Sequence, residues 1–561
     1  MKWISRATLL VAIGFGMSEG RAIAQQGADP QPVDDVRARL EQQDRQIQQL
    51  QTQLNAMQQG VPATSTAFAP VDAAAAAPPV AAPGGAGGYV VGTDLSIKAS
   101  MKDGMFLWFE TPNKDFTMHL GGWMQYDNVW WNESTDLKSH KAVATFNAAG
   151  PASGPAFDGI GDLQDGTYFR RLRPFVEGTF WETGEYRLIL ALENDQFSTS
   201  GLDEFWVGAK DIPVIGSVRV GHVKTPMGLE GDMTASSRCM TFMERSSYSE
   251  AIELNQNFVT GAWFSNNYLD QRVTWEGAFF RTDQGASSGA FFGDGQYGVQ
   301  GRLTGLPIYE DNGRQLLHFG VSGGWRSGAN NIASATYTGN TVQLRARPEL
   351  RDDDPAGGGN GVIPDSDSNR MVDTGVMACD REFLMGLETL YIHGPFSFQA
   401  EYGWNWVDNV TAFIGSTPTA VHKIAPTDYV FNGGYLQVAY TLTGENRAYD
   451  RRIGTLAREY FGHSGPFANA WITRDENGNI ISSWGAWEIA ARYSYVDLND
   501  GSGTTQVRGG QMTGTTLALN WYLNNNLNFM IDWDHQFRDD LPTTVNSGST
   551  DGYGARVQFQ F

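Results

Sequence analysis

The chain has 561 residues, a formal net charge of −22, 66 Gly, 12% aromatic residues, 18% charged residues and two Cys. A single compact core rarely grows past roughly 250–300 residues, so the length points to several domains or to one very large sheet. Charge below the usual ~25%, with Gly and aromatics raised, favours β structure over a helical enzyme. There is no Gly-X-Y period, which excludes collagen. After residue 24 no uncharged apolar run reaches the ~18 residues of a membrane-spanning helix, and the acidity argues against a nucleic-acid partner. Two Cys without a Cys-x-x-Cys spacing cannot staple so long a chain.

Residues 1–24 carry Lys2 and Arg6, an apolar stretch from Ala7 to Met17, and Ala22-Ile23-Ala24 before Gln25. That layout reads as a secretory signal peptide; its removal takes three basic residues and one acid, and leaves a charge of −24. Within residues 25–60, Val33, Val36, Leu40, Gln43, Ile47, Leu50, Leu54 and Met57 recur at alternating spacings of three and four. This a/d seam, with Gln, Arg and Glu elsewhere, predicts an oligomerising coiled coil, expected to be trimeric. Fewer than four heptads are marginal alone. Residues 61–88, nearly all Ala, Pro, Gly, Val, Ser and Thr, read as a semi-flexible linker.

From 89 to 561 the period changes to two. Met118, Leu120, Gly122, Met124 and Tyr126 alternate with His119, Gly121, Trp123, Gln125 and Asp127, and similar runs of roughly 9–11 residues recur to the end, as tilted bilayer-crossing strands require. Among them are Val273/Trp275/Gly277/Phe279, Leu317/Phe319/Val321, Phe398/Ala400/Tyr402 and Leu517/Leu519/Trp521. Apolar faces begin or end on Trp or Tyr, the pattern of interfacial girdles. In lipid each backbone group must pair internally, so the sheet must close. The expected fold is all-β, a closed antiparallel transmembrane barrel. The final strand alternates Tyr553, Ala555, Val557, Phe559 and Phe561, and its terminal aromatic resembles the signal by which the bacterial barrel-assembly machinery recognises outer-membrane proteins. That places the chain in the outer membrane, in contact with its lipid, with the N-terminal segment in the periplasm.

The segments Phe169–Gly178, Leu202–Gly208, Val218–Glu230, Thr241–Ser246, Leu344–Glu349, Gly394–Tyr402, Tyr440–Glu445, Gly485–Asp500 and Leu519–Leu523 together resemble the phosphate-selective porin O/P family, in blocks from about Leu120 to Phe561. The resemblance implies 16 strands, a homotrimer, inward-folded loops, and phosphate-like inorganic anions as permeants. A passive channel needs no catalytic group; it needs charges that lower the desolvation cost of the ion without trapping it. Arg suits oxyanions because its planar fork donates two parallel hydrogen bonds and keeps its charge. Arg345 and Arg347, two apart, point the same way in an extended chain, and by resemblance they belong to an inward loop carrying an arginine ladder; Gln343 stands where a third rung would lie.

Arg171 and Arg173 share a face by period two, whereas Arg170, at the other parity, faces outward unless the strand starts after it; the family's Arg pair matches Arg170 and Arg171. Arg238 matches a basic position of the constriction loop where Lys is expected, and Lys224 and Arg245 are further candidates. Glu177, Glu193, Glu244, Glu349, Glu401 and Glu488 are the acids available to neutralise them. Residues 89–561 carry net −21, with 34 basic and 55 acidic groups, so a general or cation-preferring pore is the alternative, as is a structural role in which the coiled coil ties the membrane to the cell wall. The eight His are scattered and no nucleophile–base constellation emerges, so no cofactor, metal or enzymatic activity is expected. Whether Cys239 and Cys379 pair is left open. Deleting residues 25–88 discriminates the roles: trimers and conductance that persist while envelope integrity falls assign that segment to tethering.

Overall fold

The computed structural model describes residues 90–561 except 103–105, 139–159, 161–162, 194–201, 232–237, 254–257, 283–295, 329–339, 352–369, 415–420, 462–465, 475–476 and 540–546. The signal-peptide, coiled-coil and linker readings lie outside the described residues. Sixteen long strands follow: β1 (Thr117–Glu133), β2 (Gly166–Phe180), β3 (Gly184–Leu190), β4 (Leu202–Ile212), β5 (Gly216–Lys224), β6 (Phe258–Tyr268), β7 (Val273–Arg281), β8 (Tyr297–Glu310), β9 (Gln315–Ser327), β10 (Arg381–His393), β11 (Phe396–Ile414), β12 (Val421–Thr441), β13 (Ala486–Asp500), β14 (Val507–Tyr522), β15 (Leu527–Asp539) and β16 (Gly548–Gln560). Each pairs antiparallel with the next. The ring closes where β16 returns to β1, Gln560 opposite Trp123 and Thr550 opposite Glu133.

Closure runs to the last residue: the Phe561 N–H donates to the Gly122 carbonyl at 3.0 Å and the Gly122 N–H donates back at 2.8 Å. Below that point β1 would have a bare edge, which an N-terminal hairpin covers. Its strands Lys98–Lys102 and Phe106–Glu110 pair with each other, and the second adds to Thr117–Leu120. The backbone is thus satisfied around the barrel, as lipid demands.

Alternation sorts the two faces. In β16, Tyr553 is 49% exposed while Arg556, three residues on and at the opposite parity, is 1% exposed. Aromatic side chains cluster on the outer surface: Trp487, Trp521 and Phe529 stack in sequence with centroids 5.1 and 5.7 Å apart, while Tyr402 meets Trp404 edge-to-face at 4.9 Å and Trp404 stacks on Trp406 at 6.4 Å. Such rings present an apolar body to lipid and a polar edge to the interface. The wall is uneven. β3 to β7 have 7 to 11 residues, whereas β11 and β12 have 19 and 21.

Most turns at the end holding Phe561 are short, such as the two residues between β10 and β11; porins keep short turns on the periplasmic side. One connection at that end breaks the rule. Residues 442–485 form two hairpins, Arg447–Asp450 with Thr455–Phe461 and Trp471–Arg474 with Ile480–Ser483. The first enters the lumen: Arg302 of β8 donates to the Gly454 carbonyl at 2.9 Å, and Tyr449 meets His318 of β9 at 2.8 Å.

From the opposite end the described residues of two long loops also fold inward, the first connecting β5 to β6 and the second β9 to β10. Tyr248, Ile252, Leu344, Ala346 and Met371 on these loops pack with Val407, Phe413, Phe431, Val496 and Met512 of the tall wall in one buried apolar cluster. This is a core built inside the barrel, and it makes the loops part of a packed solid. Cys239 and Cys379 are both buried and are not bonded to each other, and burial pushes both thiols above their ordinary value. A thiol kept neutral and covered reacts slowly, so a maleimide is expected to label neither residue in the folded protein and both after denaturation, with identical gel mobility with and without reductant.

Candidate functional site: an arginine cluster between two inward loops

Both loops are held by carboxylates. Glu401 on the β11 wall accepts the backbone N–H groups of Leu229 and, at 3.0 Å, of Glu230 at the start of the first loop. Gly228 makes this approach possible. It sits at φ +65°, and a Cβ there would collide with the Glu401 and Glu253 carboxylates. Further along, the Met243 N–H donates to Asp532 at 2.8 Å and Asn520 donates to the Thr241 carbonyl at 2.7 Å. The second loop is pinned through Glu349, which accepts from Arg492 Nε at 2.8 Å, Thr516 at 2.7 Å, Ser494, and the Ser247 N–H of the first loop at 2.8 Å. The Glu349 N–H in turn reaches Asp534 at 3.0 Å.

Between these anchors lie two carboxylates on the first loop, each ringed by guanidinium groups. Glu244 meets Arg170 at 2.7 Å, Arg171 at 3.5 Å, Arg556 at 2.9 Å and Arg351 at 3.8 Å. Arg556 also grips Asp127 of β1 with both Nη2 and Nε at 2.7 Å. Glu250 meets Arg370 at 2.5 Å, Arg347 at 3.0 Å and Arg351 at 3.2 Å, and accepts the Arg347 backbone N–H at 3.0 Å. Burial alone would raise these carboxyls, yet Arg170, Arg171, Arg556 and Arg351 hold Glu244 well below its ordinary value. Arg351, Arg370 and Arg347 do the same for Glu250.

The sequence-selected residues separate into three places. Arg170, Arg171 and Arg347 belong to this cluster, with Arg345 beside it on the same loop. Arg345 stands opposite Asp373 in a two-residue ladder, and Gln343 donates to Asp373 at 2.9 Å. Arg173 lies apart, bonded to Glu193 at 2.6 Å and Asp203 at 2.8 Å. Lys224 ends β5, and Arg245 donates to the Glu230 carbonyl at 2.6 Å. Arg238 points elsewhere: its guanidinium lies 5.0 Å from the Trp123 ring centroid and 5.3 Å from that of Phe175. It lines a cavity of about 800 Å³ toward the short-turn end, shared with Trp108, His119, Arg187, Trp206 and Arg219.

Period two fails at Arg170. The β1–β2 register shifts between Gln125, opposite Arg171, and Tyr126, opposite Phe169. Arg170 is the extra residue of a β-bulge, and the bulge turns two adjacent arginines inward onto one carboxylate. Parity alone would put Arg170 outward; the bulge lets it join Arg171, the pair that the family resemblance picks out. Of the candidate neutralising acids, Glu193, Glu244 and Glu349 pair with the arginines named above, and Glu177 pairs with Arg187 at 2.6 Å. Glu401 serves the loop backbone and Glu488 accepts from Asn520 at 2.9 Å.

Sequence reasoning missed Arg351, Arg370 and Arg556 as members of the cluster, and Arg492 as the partner of Glu349. Arg351 keeps the parity of Arg345 and Arg347, so continuing the period would have found it. Arg370 returns to the site only after residues 352–369, and no local pattern announces it.

A closed barrel with an aromatic outer surface, a polar interior and loops folded into its lumen is an outer-membrane channel. The chain belongs to the family described as phosphate-selective porin O and P, whose model matches residues 155–561. It is 25% identical to Porin O of Pseudomonas aeruginosa over 493 residues, 84% of this chain and 93% of that protein. It is also 25% identical to an uncharacterized protein of Caulobacter vibrioides over 405 residues, 71% and 68% of the two chains. The solved structure of OmpT from Vibrio cholerae in its trimer form shares 10% identity with a TM-score of 0.41, covering 80% of this chain and 99% of that one.

The bulge carries a direct test. Losing a charge-assisted bond costs roughly 1.5–3 kcal/mol, so Arg170→Ala and Arg171→Ala are each expected to lower the temperature at which the barrel unfolds on a heat-modified gel. An Arg170→Ala variant indistinguishable from the native protein would return that side chain to the outer face.

Proposed function

We propose that the channel conducts small inorganic anions, phosphate-like oxyanions among them, and that Arg345, Arg347, Arg351 and Arg370 line its constriction. The observation that carries this reading is the convergence of guanidinium groups from the β2 wall, the β16 wall and the second loop on one stretch of the first loop. Guanidinium forks bind tetrahedral oxyanions in two-point fashion, and several around one passage replace part of an ion's hydration shell. The family to which the chain belongs supports the same substrate class. We further propose that the working unit is a homotrimer, that the N-terminal segment lies in the periplasm as a coiled coil, and that the alternating strand ending at Phe561 is read during barrel assembly.

A general or cation-preferring pore is the competing reading. It draws on the net charge of −21 over residues 89–561 and on the carboxylates beside the arginines named above. Reversal potentials across a planar bilayer in a KCl gradient decide between them. Anion selectivity with block of chloride current by phosphate is expected. A cation-selective sign with no block overturns the anion reading. The double variant Arg345→Ala/Arg347→Ala is expected to shift the reversal potential toward cations; an unchanged potential removes those residues from the constriction.

A further inference from the structure

We propose that Glu250 is a tethered counter-ion: its carboxylate occupies the place where Arg347, Arg351 and Arg370 would hold a passing oxyanion, and its return to them drives the ion onward. This inference rests on the anion reading above and specifies how such a site avoids becoming a trap.

The geometry is that of an occupied anion site. One oxygen of Glu250 takes Arg370 at 2.5 Å, Arg347 at 3.0 Å and Arg351 at 3.2 Å, and the other takes the Arg347 N–H at 3.0 Å. Three guanidiniums and an amide make a donor set that would also suit a phosphate. The carboxylate differs from the structural acids nearby. Glu349 is 2% exposed and Arg492, its partner, also 2%, so that pair is sealed into the wall. The Glu250 side chain is 16% exposed, and those of Arg347, Arg351 and Arg370 are 12%, 17% and 10% exposed. Water reaches this group.

Physical necessity argues in the same direction. Three converging positive charges with no anion of their own would bind a multiply charged oxyanion tightly and release it slowly, whereas conduction requires sites weak enough to leave. A carboxylate on the first loop, only a side-chain rotation away, competes at high effective concentration. It weakens equilibrium binding and shortens residence. Arg351 also reaches Glu244 at 3.8 Å, so a guanidinium displaced from one carboxylate stays near the other.

The test uses the full-length protein in planar bilayers and inorganic phosphate as the probe. In Glu250→Gln, which keeps the shape but removes the charge, the phosphate concentration that halves chloride current is expected to fall about tenfold or more, with longer blocked intervals in single-channel records. Glu250→Asp, which keeps the charge, is expected to stay within about threefold of the native value. A half-blocking concentration in Glu250→Gln that is unchanged or raised overturns the proposal, as does a fall of equal size in Glu250→Asp, which would mark a packing effect. The outcomes are separable from those of the parent reading. Native channels that are cation-selective and insensitive to phosphate would sink both. Native channels that are blocked, with an unaltered Glu250→Gln, sink only the counter-ion role.

Discussion

A carboxylate placed among guanidiniums inside a lipid-embedded barrel is the interaction from which the rest of this structure follows. Glu244, on a loop with no strand among its described residues, gathers Arg170 and Arg171 from β2, Arg556 from β16 and Arg351 from the second loop. β2 and β16 flank β1, the strand at which the barrel closes, and Arg556 also clasps Asp127 on β1. The same few atoms therefore bridge the closure seam, dock the first loop and position the second. Charges taken this far from water are costly unless paired and hydrogen-bonded, and here each acid or base has several partners.

That economy recurs along the lumen. Arg302 with Glu388, Arg326 with Glu382 and Arg492 with Glu349 are pairs whose side chains are essentially sealed from solvent. Arg173 with Glu193 and Arg187 with Glu177 are pairs at the rim of more open space. The chain's strong net acidity consequently says little about the constriction. The local balance on the first loop is the opposite: there two carboxylates face six arginines drawn from both walls and the second loop.

Much of the architecture was legible in the sequence because lipid imposes a strict rule on it. Outward side chains must be apolar at period two and the sheet must close, so Tyr553, Val557 and Phe559 announce their face without any knowledge of their neighbours. The period misled at one residue. Arg170 breaks parity through a bulge, and a bulge depends on the register of two strands, not on either alone. The hairpin at Arg447–Phe461 was also invisible, since its anchors, Arg302 and His318, lie more than a hundred residues away. The first loop's Arg238, matched to a basic constriction position only by the family resemblance, lies over Trp123 and Phe175.

By itself the sequence determined that this is an exported, closed, lipid-facing barrel with inward-looking arginines, because membrane insertion constrains every strand locally through burial and backbone pairing. Only the tertiary structure decided which arginines meet, which carboxylates meet them, and which of those pairs stay open to water. Those outcomes rest on contacts between residues far apart in the chain, such as Glu250 with Arg370 or Glu244 with Arg556, and electrostatic energy depends on distance and solvent access in three dimensions. No spacing along the chain encodes either quantity.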